Sequence, residues 1–141
     1  MDNPVPLANN YFVAPQIVVE DLLQLKALGF ERVINNRPDK ETDEQPLSAT
    51  LEQAATELGL EYVYNPVDLK VLSEVEVNGQ IAALAEDKKT LAFCRTGTRS
   101  SVLWVLLNNA QGESYDKLKA GVVAKGFDLS RCEAAMQPLI K

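Results

Sequence analysis

The sequence predicts an α/β domain with a mostly parallel central sheet of about four strands flanked by helices. Three observations lead there. Short apolar runs alternate along the chain with stretches of helical periodicity, which implies parallel strands joined by right-handed helical crossovers. Glycines stand just past several of the helical stretches, where a left-handed residue ends a helix. The 141 residues contain no repeat, low-complexity tract or linker, so 1–141 forms a single domain long enough to bury its own core.

In chain order, a polar, proline-containing leader precedes a short strand at Asn10-Tyr11-Phe12-Val13, which ends at Ala14-Pro15. Val19, Leu22, Leu23, Leu25 and Leu28 then recur near helical spacing, and Gly29 supplies the stop. Arg32 to Asn36 reads as a strand, followed by a long polar loop from Arg37 to Pro46. A helix from Ser48 or Ala49 to Leu58 places Leu51, Ala54, Ala55 and Leu58 on one face and stops at Gly59. Glu61 to Val67 gives a third strand, and Asp68 to Leu72 a loop. The next helix, Ser73 to Ala85, opens with Ser73 and Glu76 at the spacing of a capping box. Lys88-Lys89 turn the chain into a strand from Thr90 to Phe93. A strongly apolar helix from Ser100 to Asn109 follows, then Ser114 to Ala124 with its stop at Gly126, and a short last helix from Leu129 to Gln137 before Pro138.

Composition removes several function classes. A net charge of −6 argues against a general electrostatic attraction to nucleic acid or to anionic membranes, so any bound anion must be captured locally. The start, Met1-Asp2-Asn3-Pro4-Val5-Pro6, lacks the basic and long apolar segments of a secretory signal, and no run approaches the ~20 apolar residues of a membrane span. The expected location is cytoplasmic. The chain has no histidine, which removes histidine bases, histidine-containing triads and the commonest transition-metal ligand. Cys94 and Cys132 are expected as free thiols, and no metal site or cofactor is expected.

Chemistry concentrates in the stretch Leu91-Ala92-Phe93-Cys94-Arg95-Thr96-Gly97-Thr98-Arg99-Ser100-Ser101. An apolar strand ends at a cysteine, a tight loop follows, and the buried helix begins. Backbone N–H groups of such a loop and of the helix's first turn converge on one point and favour negative charge there. Gly97 allows backbone conformations that turn successive N–H groups inward as a nest. Arg99 offers a planar fork suited to two oxygens of a phosphate or sulfate. Beside these groups the thiolate of Cys94, its nucleophilic form, is favoured, and Ser100 can donate to the sulfur.

These residues, Phe93-Cys94-Arg95-Thr96-Gly97-Thr98-Arg99-Ser100, together with Val33-Ile34-Asn35-Asn36-Arg37-Pro38-Asp39 and the later pair Gln45-Pro46, resemble the phosphatase-like domain of the bacterial beta-lactamase-hydrolase-like proteins. Those domains are similar to dual-specificity protein tyrosine phosphatases, and the resemblance runs from about Tyr11 to Leu139. It implies a phosphotyrosine protein phosphatase-like fold and hydrolysis of phosphoric monoesters through a thiophosphate on Cys94. It also implies that Arg95, Thr96, Gly97, Thr98 and Arg99 hold the phosphoryl oxygens, with Arg37 as an additional anion ligand. An aspartic acid then protonates the leaving oxygen and activates water. Asp68, at the start of the loop after the third strand, is the first candidate. Asp39, on the preceding loop, is its rival and a candidate substrate contact.

One feature departs from the tyrosine phosphatase pattern. Those enzymes place five residues between cysteine and arginine, usually with histidine before the cysteine; here four residues intervene and Phe93 precedes Cys94. Cys-Arg-x-Gly-x-Arg resembles instead the active-site loop of rhodanese-like sulfurtransferases, in which a cysteine carries sulfane sulfur as a persulfide. Three functions therefore stand side by side: phosphatase-like hydrolysis, sulfur transfer, and non-catalytic binding of an anion or phospho-ligand. The expected partner in each is a phosphorylated substrate or another small oxyanion.

Overall fold

The computed structural model describes residues 3–141; Met1 and Asp2 of the leader lie outside the described residues. Among the described residues five strands, β1 (Val5–Ala8), β2 (Tyr11–Ala14), β3 (Arg32–Asn35), β4 (Glu61–Tyr64) and β5 (Thr90–Phe93), form one sheet in the order β1-β2-β5-β3-β4. The chain order is completed by helices α1 (Val19–Ala27), α2 (Ser48–Glu57), α3 (Glu74–Ala83), α4 (Thr98–Ala110), α5 (Tyr115–Ala124) and α6 (Glu133–Met136). The fifth strand corrects the expected count of about four. The leader pairs antiparallel with β2 as an edge strand, where Pro6 need not donate to a further neighbour. The other pairings, β2 with β5, β5 with β3 and β3 with β4, are parallel.

The period of two along each strand assigns the faces. Leu91 and Phe93 of β5, with Val33 of β3 and Ala14 of β2, pack against Leu22 and Leu25 of α1 and Leu51 and Ala55 of α2. Ala92, Ile34, Tyr11 and Val13 point to the opposite face, where Ala83 of α3, Leu84 just past it and Trp104 of α4 pack. Burying side chains such as Ile34 and Phe93 completely contributes about 1.5–3 kcal/mol each.

Helix α4 is central. Eight of its thirteen residues are buried, which explains an apolar composition without a single stripe. It begins at Thr98, two residues before the expected Ser100, because Gly97 rather than a serine serves as its cap. The Ser73 and Glu76 capping box forms as the spacing predicts. The last helix is shorter than expected: α6 covers only Glu133–Met136 and tightens into a 3-10 turn at Gln137–Leu139, which includes Pro138. At the far end of the sheet Arg32 is 1% exposed, and its guanidinium donates to Glu61, Thr90 Oγ1 and the Glu86 carbonyl. Among the described residues no helix is long and apolar enough to cross a membrane.

Candidate active site

Three parallel strands deliver the site. β5 ends at Phe93 between β2 and β3, and the register continues one step beyond the strands: Cys94 N–H donates to the Ala14 carbonyl at 3.4 Å and Asn36 N–H to the Phe93 carbonyl at 2.8 Å. Cys94 is thereby held at the carboxyl end of the central strand, the edge at which open parallel sheets form clefts. It is 1% exposed.

The loop then turns on Gly97, whose φ of 92° lies in the left-handed region. A Cβ there would also meet Phe127 Cε1 at 3.0 Å, so conformation and space both require glycine. In this conformation Gly97 N–H donates to Cys94 Sγ at 3.1 Å. Thr96 and Thr98 hydroxyls bond to each other at 3.0 Å on the outer side of the loop, and Arg95 is exposed. The Arg95 carbonyl accepts from Gln16 N–H, tying the loop to the segment after β2.

Arg99, in the first turn of α4, reaches to the segments that follow β3 and β4. Its Nη1 donates to Glu41 Oε2 at 2.8 Å and to the Val67 carbonyl at 2.9 Å, and its Nη2 donates to Glu41 Oε1 at 2.8 Å. Glu41 Oε1 also accepts from Arg37 Nε at 2.9 Å, while Arg37 Nη1 donates to Gln16 Oε1 at 3.0 Å. The hydrogen bond from Arg99, opposed by partial burial and reinforced by Arg37, lowers the pKa of Glu41 from 4.5 to about 2. Burial works against the charge on Arg99, but Glu41 and Cys94 outweigh it and hold the guanidinium above its ordinary value.

Beneath the loop lies a buried polar network. Asn36 and Gln80 form a reciprocal amide pair, Asn36 Nδ2 to Gln80 Oε1 at 3.0 Å and Gln80 Nε2 to Asn36 Oδ1 at 3.1 Å. Gln80 also donates to Tyr11 Oη, and Tyr11 donates to the Ser100 carbonyl. Asn65 Nδ2 pins the far side through Gln80 Oε1 and the Glu76 carbonyl, and Asn36 Nδ2 donates also to the Asn65 carbonyl. Ser100 Oγ donates to Asn36 Oδ1 at 2.9 Å, so its proton is turned into this network and away from the sulfur it was expected to reach. Burial, partly offset by Gln80 and reinforced by Cys94, raises the pKa of Tyr11 far above that of a free phenol.

The expected site residues thus fall into three groups. Cys94, Gly97 and Arg99 come together at the loop, Ser100 turns its hydroxyl into the network beneath it, and Arg95 and the Thr96 and Thr98 hydroxyls lie on the loop's outer side. Arg37 joins them indirectly, through Glu41 to Arg99 and through Gln16 to the Arg95 carbonyl, with its guanidinium enclosed. The two aspartates sit differently from each other: Asp39 Oδ1 accepts from Ser48 N–H at the start of α2, whereas Asp68 is exposed, accepts from Lys70 N–H and directly follows Val67, whose carbonyl holds Arg99. Sequence alone does not mark Glu41, Gln16, Asn36, Gln80 or Tyr11 as neighbours of Cys94. Gln80 carried a signal, being a polar residue three positions after buried Val77 on the inward face of α3, and Arg37 and Glu41 stand at the spacing of an i, i+4 ion pair. Cys94 and Cys132 are both free and buried; burial, with Cys94 and Asp128 nearby, raises the Cys132 thiol despite Arg99. Among the described residues no group of three or more histidine, cysteine, aspartate or glutamate side chains could hold a metal.

Comparison with known proteins places this geometry. Residues 5–111 match the family described as beta-lactamase hydrolase-like protein, phosphatase-like domain. A beta-lactamase hydrolase-like protein of Agrobacterium fabrum is 33% identical over 105 residues, covering 74% of this chain and 23% of that protein. The chain spans about a quarter of the length of the curated relatives it matches. A candidate phosphatase of Neisseria meningitidis Z2491 is 31% identical, with a TM-score of 0.78 over 94% of this chain and 95% of that one. The fold is shared more distantly with P. aeruginosa TpbA in complex with phosphotyrosine, at 15% identity and a TM-score of 0.66 over 96% and 81% of the two chains.

Proposed function

Because the chain belongs to the phosphatase-like domain family of the beta-lactamase hydrolase-like proteins, a family with a phosphatase-type fold, we propose that it hydrolyses phosphoric monoesters with Cys94 as nucleophile. The observation that carries this reading is that the Cys94 sulfur accepts from the N–H of Gly97, the residue that caps α4, while Cys94 helps to hold the charge on Arg99 in the first turn of the same helix.

The Cys94 thiolate attacks phosphorus, the ester P–O bond breaks, and the leaving oxygen takes a proton from Asp68. In the second step the Asp68 carboxylate takes a proton from water, the water oxygen attacks phosphorus, and the S–P bond breaks to restore the thiolate. Loop amides and Arg99 hold the three equatorial oxygens, where charge grows in the transition state. Asp68 is favoured over Asp39 because its exposed carboxylate adjoins the Arg99 contact at Val67, while Asp39 is engaged at the start of α2. A phosphorylated aromatic alcohol is a suitable first substrate, since TpbA, of the same fold, is seen with phosphotyrosine.

The test is hydrolysis of 4-nitrophenyl phosphate. Turnover should vanish in Cys94→Ser and fall about a hundredfold or more in Arg99→Ala; undiminished turnover in Cys94→Ser rejects the proposal. One observation favours sulfur transfer as a second reading: four residues rather than five separate Cys94 from Arg99, which makes a smaller ring of donors. That reading requires one added sulfur on Cys94 by mass spectrometry after incubation with thiosulfate. If tungstate raises the melting temperature while neither reaction occurs, the site is a binding module for oxyanions.

A further inference from the structure

Arg37 was expected to be a ligand of the substrate anion, but its surroundings give it another task. Its side chain is 4% exposed, and two of its nitrogens are committed inward, Nε to Glu41 and Nη1 to Gln16. Gln16 is in turn fixed by its own N–H on the Arg95 carbonyl. A chain of contacts results, running from Arg95 through Gln16, Arg37 and Glu41 to Arg99, with one end on the nucleophile loop and the other on the first turn of α4.

Arg99 has five N–H donors in a rigid plane. Both hydrogens of Nη1 are used, on Glu41 Oε2 and the Val67 carbonyl, and one hydrogen of Nη2 is used on Glu41 Oε1. The remaining Nη2 hydrogen and the Nε hydrogen share the adjacent edge, which is a two-pronged donor of the kind that grips two oxygens of a tetrahedral anion. Glu41 therefore determines which edge Arg99 presents. Glu41 itself lies on a polar loop with its side chain 31% exposed, where holding a long side chain in one rotamer costs conformational entropy. Arg37, four residues earlier and enclosed, fixes it in place.

We infer that Arg37 is a positioning residue, acting through Glu41 to hold the guanidinium of Arg99 edge-on to the anion site, and not a ligand of the anion itself. This rests on the proposed oxyanion chemistry at Cys94, but the geometry can be read without substrate. Arg37→Met keeps the length and apolar stem of the side chain and removes its donors.

Two measurements on the whole chain test the inference. The first is the rate of rotation about the Cζ–Nη bonds of Arg99, from nitrogen NMR of the guanidinium. Rotation should be slow in the wild type and faster in both Arg37→Met and Glu41→Gln, with Arg37→Lys in between; slow rotation retained in folded Arg37→Met and Arg37→Lys overturns the inference. The second is tungstate affinity. Arg37→Met and Glu41→Gln should each weaken it about tenfold, and the double variant should be no weaker than either. A double variant about a hundredfold weaker would mean that Arg37 contacts the anion directly and would also overturn it. Wild type that fails to bind tungstate, with Arg99 rotation still slow and released by Arg37→Met, rejects the oxyanion chemistry and leaves the positioning relation supported.

Discussion

Glu41 and Arg99, 58 residues apart in sequence, meet through two hydrogen bonds of 2.8 Å that use both oxygens of one and both terminal nitrogens of the other. A carboxylate in this position holds the arginine's plane, and the arginine in turn keeps the carboxylate charged. Because the pKa of Glu41 is depressed in the fold, the stability it contributes is present in full above 4.5 and is lost as pH falls from there through about 2. Glu61, Glu74 and Asp128 are also lowered, so the wild type alone will show a compound slope. Denaturant unfolding of wild type and Glu41→Gln should give curves that differ above pH 4.5 and converge towards pH 2. A constant difference across that window would show that the ion pair does not persist in solution.

The two aspartates should separate by what is measured. Asp68→Asn keeps an oxygen that can accept from Lys70 N–H but has no proton to give; it should reduce kcat about a hundredfold or more on substrates with poor leaving groups. Asp39→Ala removes the acceptor for Ser48 N–H and should cost about 1 kcal/mol in equilibrium unfolding with little change in kcat. The reverse pattern, a stable Asp39→Ala with kcat lost, would exchange their assignments.

Gly97→Ala combines two penalties. The left-handed φ of 92° costs an alanine about 1–2 kcal/mol, and the new Cβ sits 3.0 Å from the Phe127 ring. Relief by rotating the peptide would take the Gly97 N–H off Cys94 Sγ. The expected result is a lower melting temperature together with slower hydrolysis of 4-nitrophenyl phosphate, since the loop that holds Cys94 loses its shape. Turnover as fast as in the wild type would mean that the N–H to sulfur contact is not needed for the reaction.

Tyr11→Phe removes a hydroxyl that is an acceptor for Gln80 and a donor to the Ser100 carbonyl. Two buried polar groups are left without that partner, and about 1–3 kcal/mol of stability should be lost in denaturant unfolding. Any activity change should be small compared with Cys94→Ser, because Tyr11 touches the loop only through a backbone carbonyl. A loss below 0.5 kcal/mol would indicate that the network rearranges to re-pair these groups.

The order of strands and helices, the capping box at Ser73 and Glu76, and the candidate site around Cys94, Gly97 and Arg99 were legible from residue order, because each depends on neighbours within a few positions. Even the i, i+4 relation of Arg37 to Glu41 was on view, though nothing local marked it as part of a site. The pairing of Val5–Ala8 as a fifth strand was not legible, since four residues that include Pro6, between polar neighbours, resemble coil until β2 offers an edge. Nor was the direction of the Ser100 proton, which depends on Asn36, Gln80, Asn65 and Tyr11 arriving from four other segments. Sequence by itself determined that a cysteine would stand at the end of a strand, at the mouth of a helix and within reach of an arginine. Only the tertiary structure decided which edge that arginine presents and which carboxylate holds it, because hydrogen-bond partners 58 residues apart are chosen by how the sheet and its loops pack.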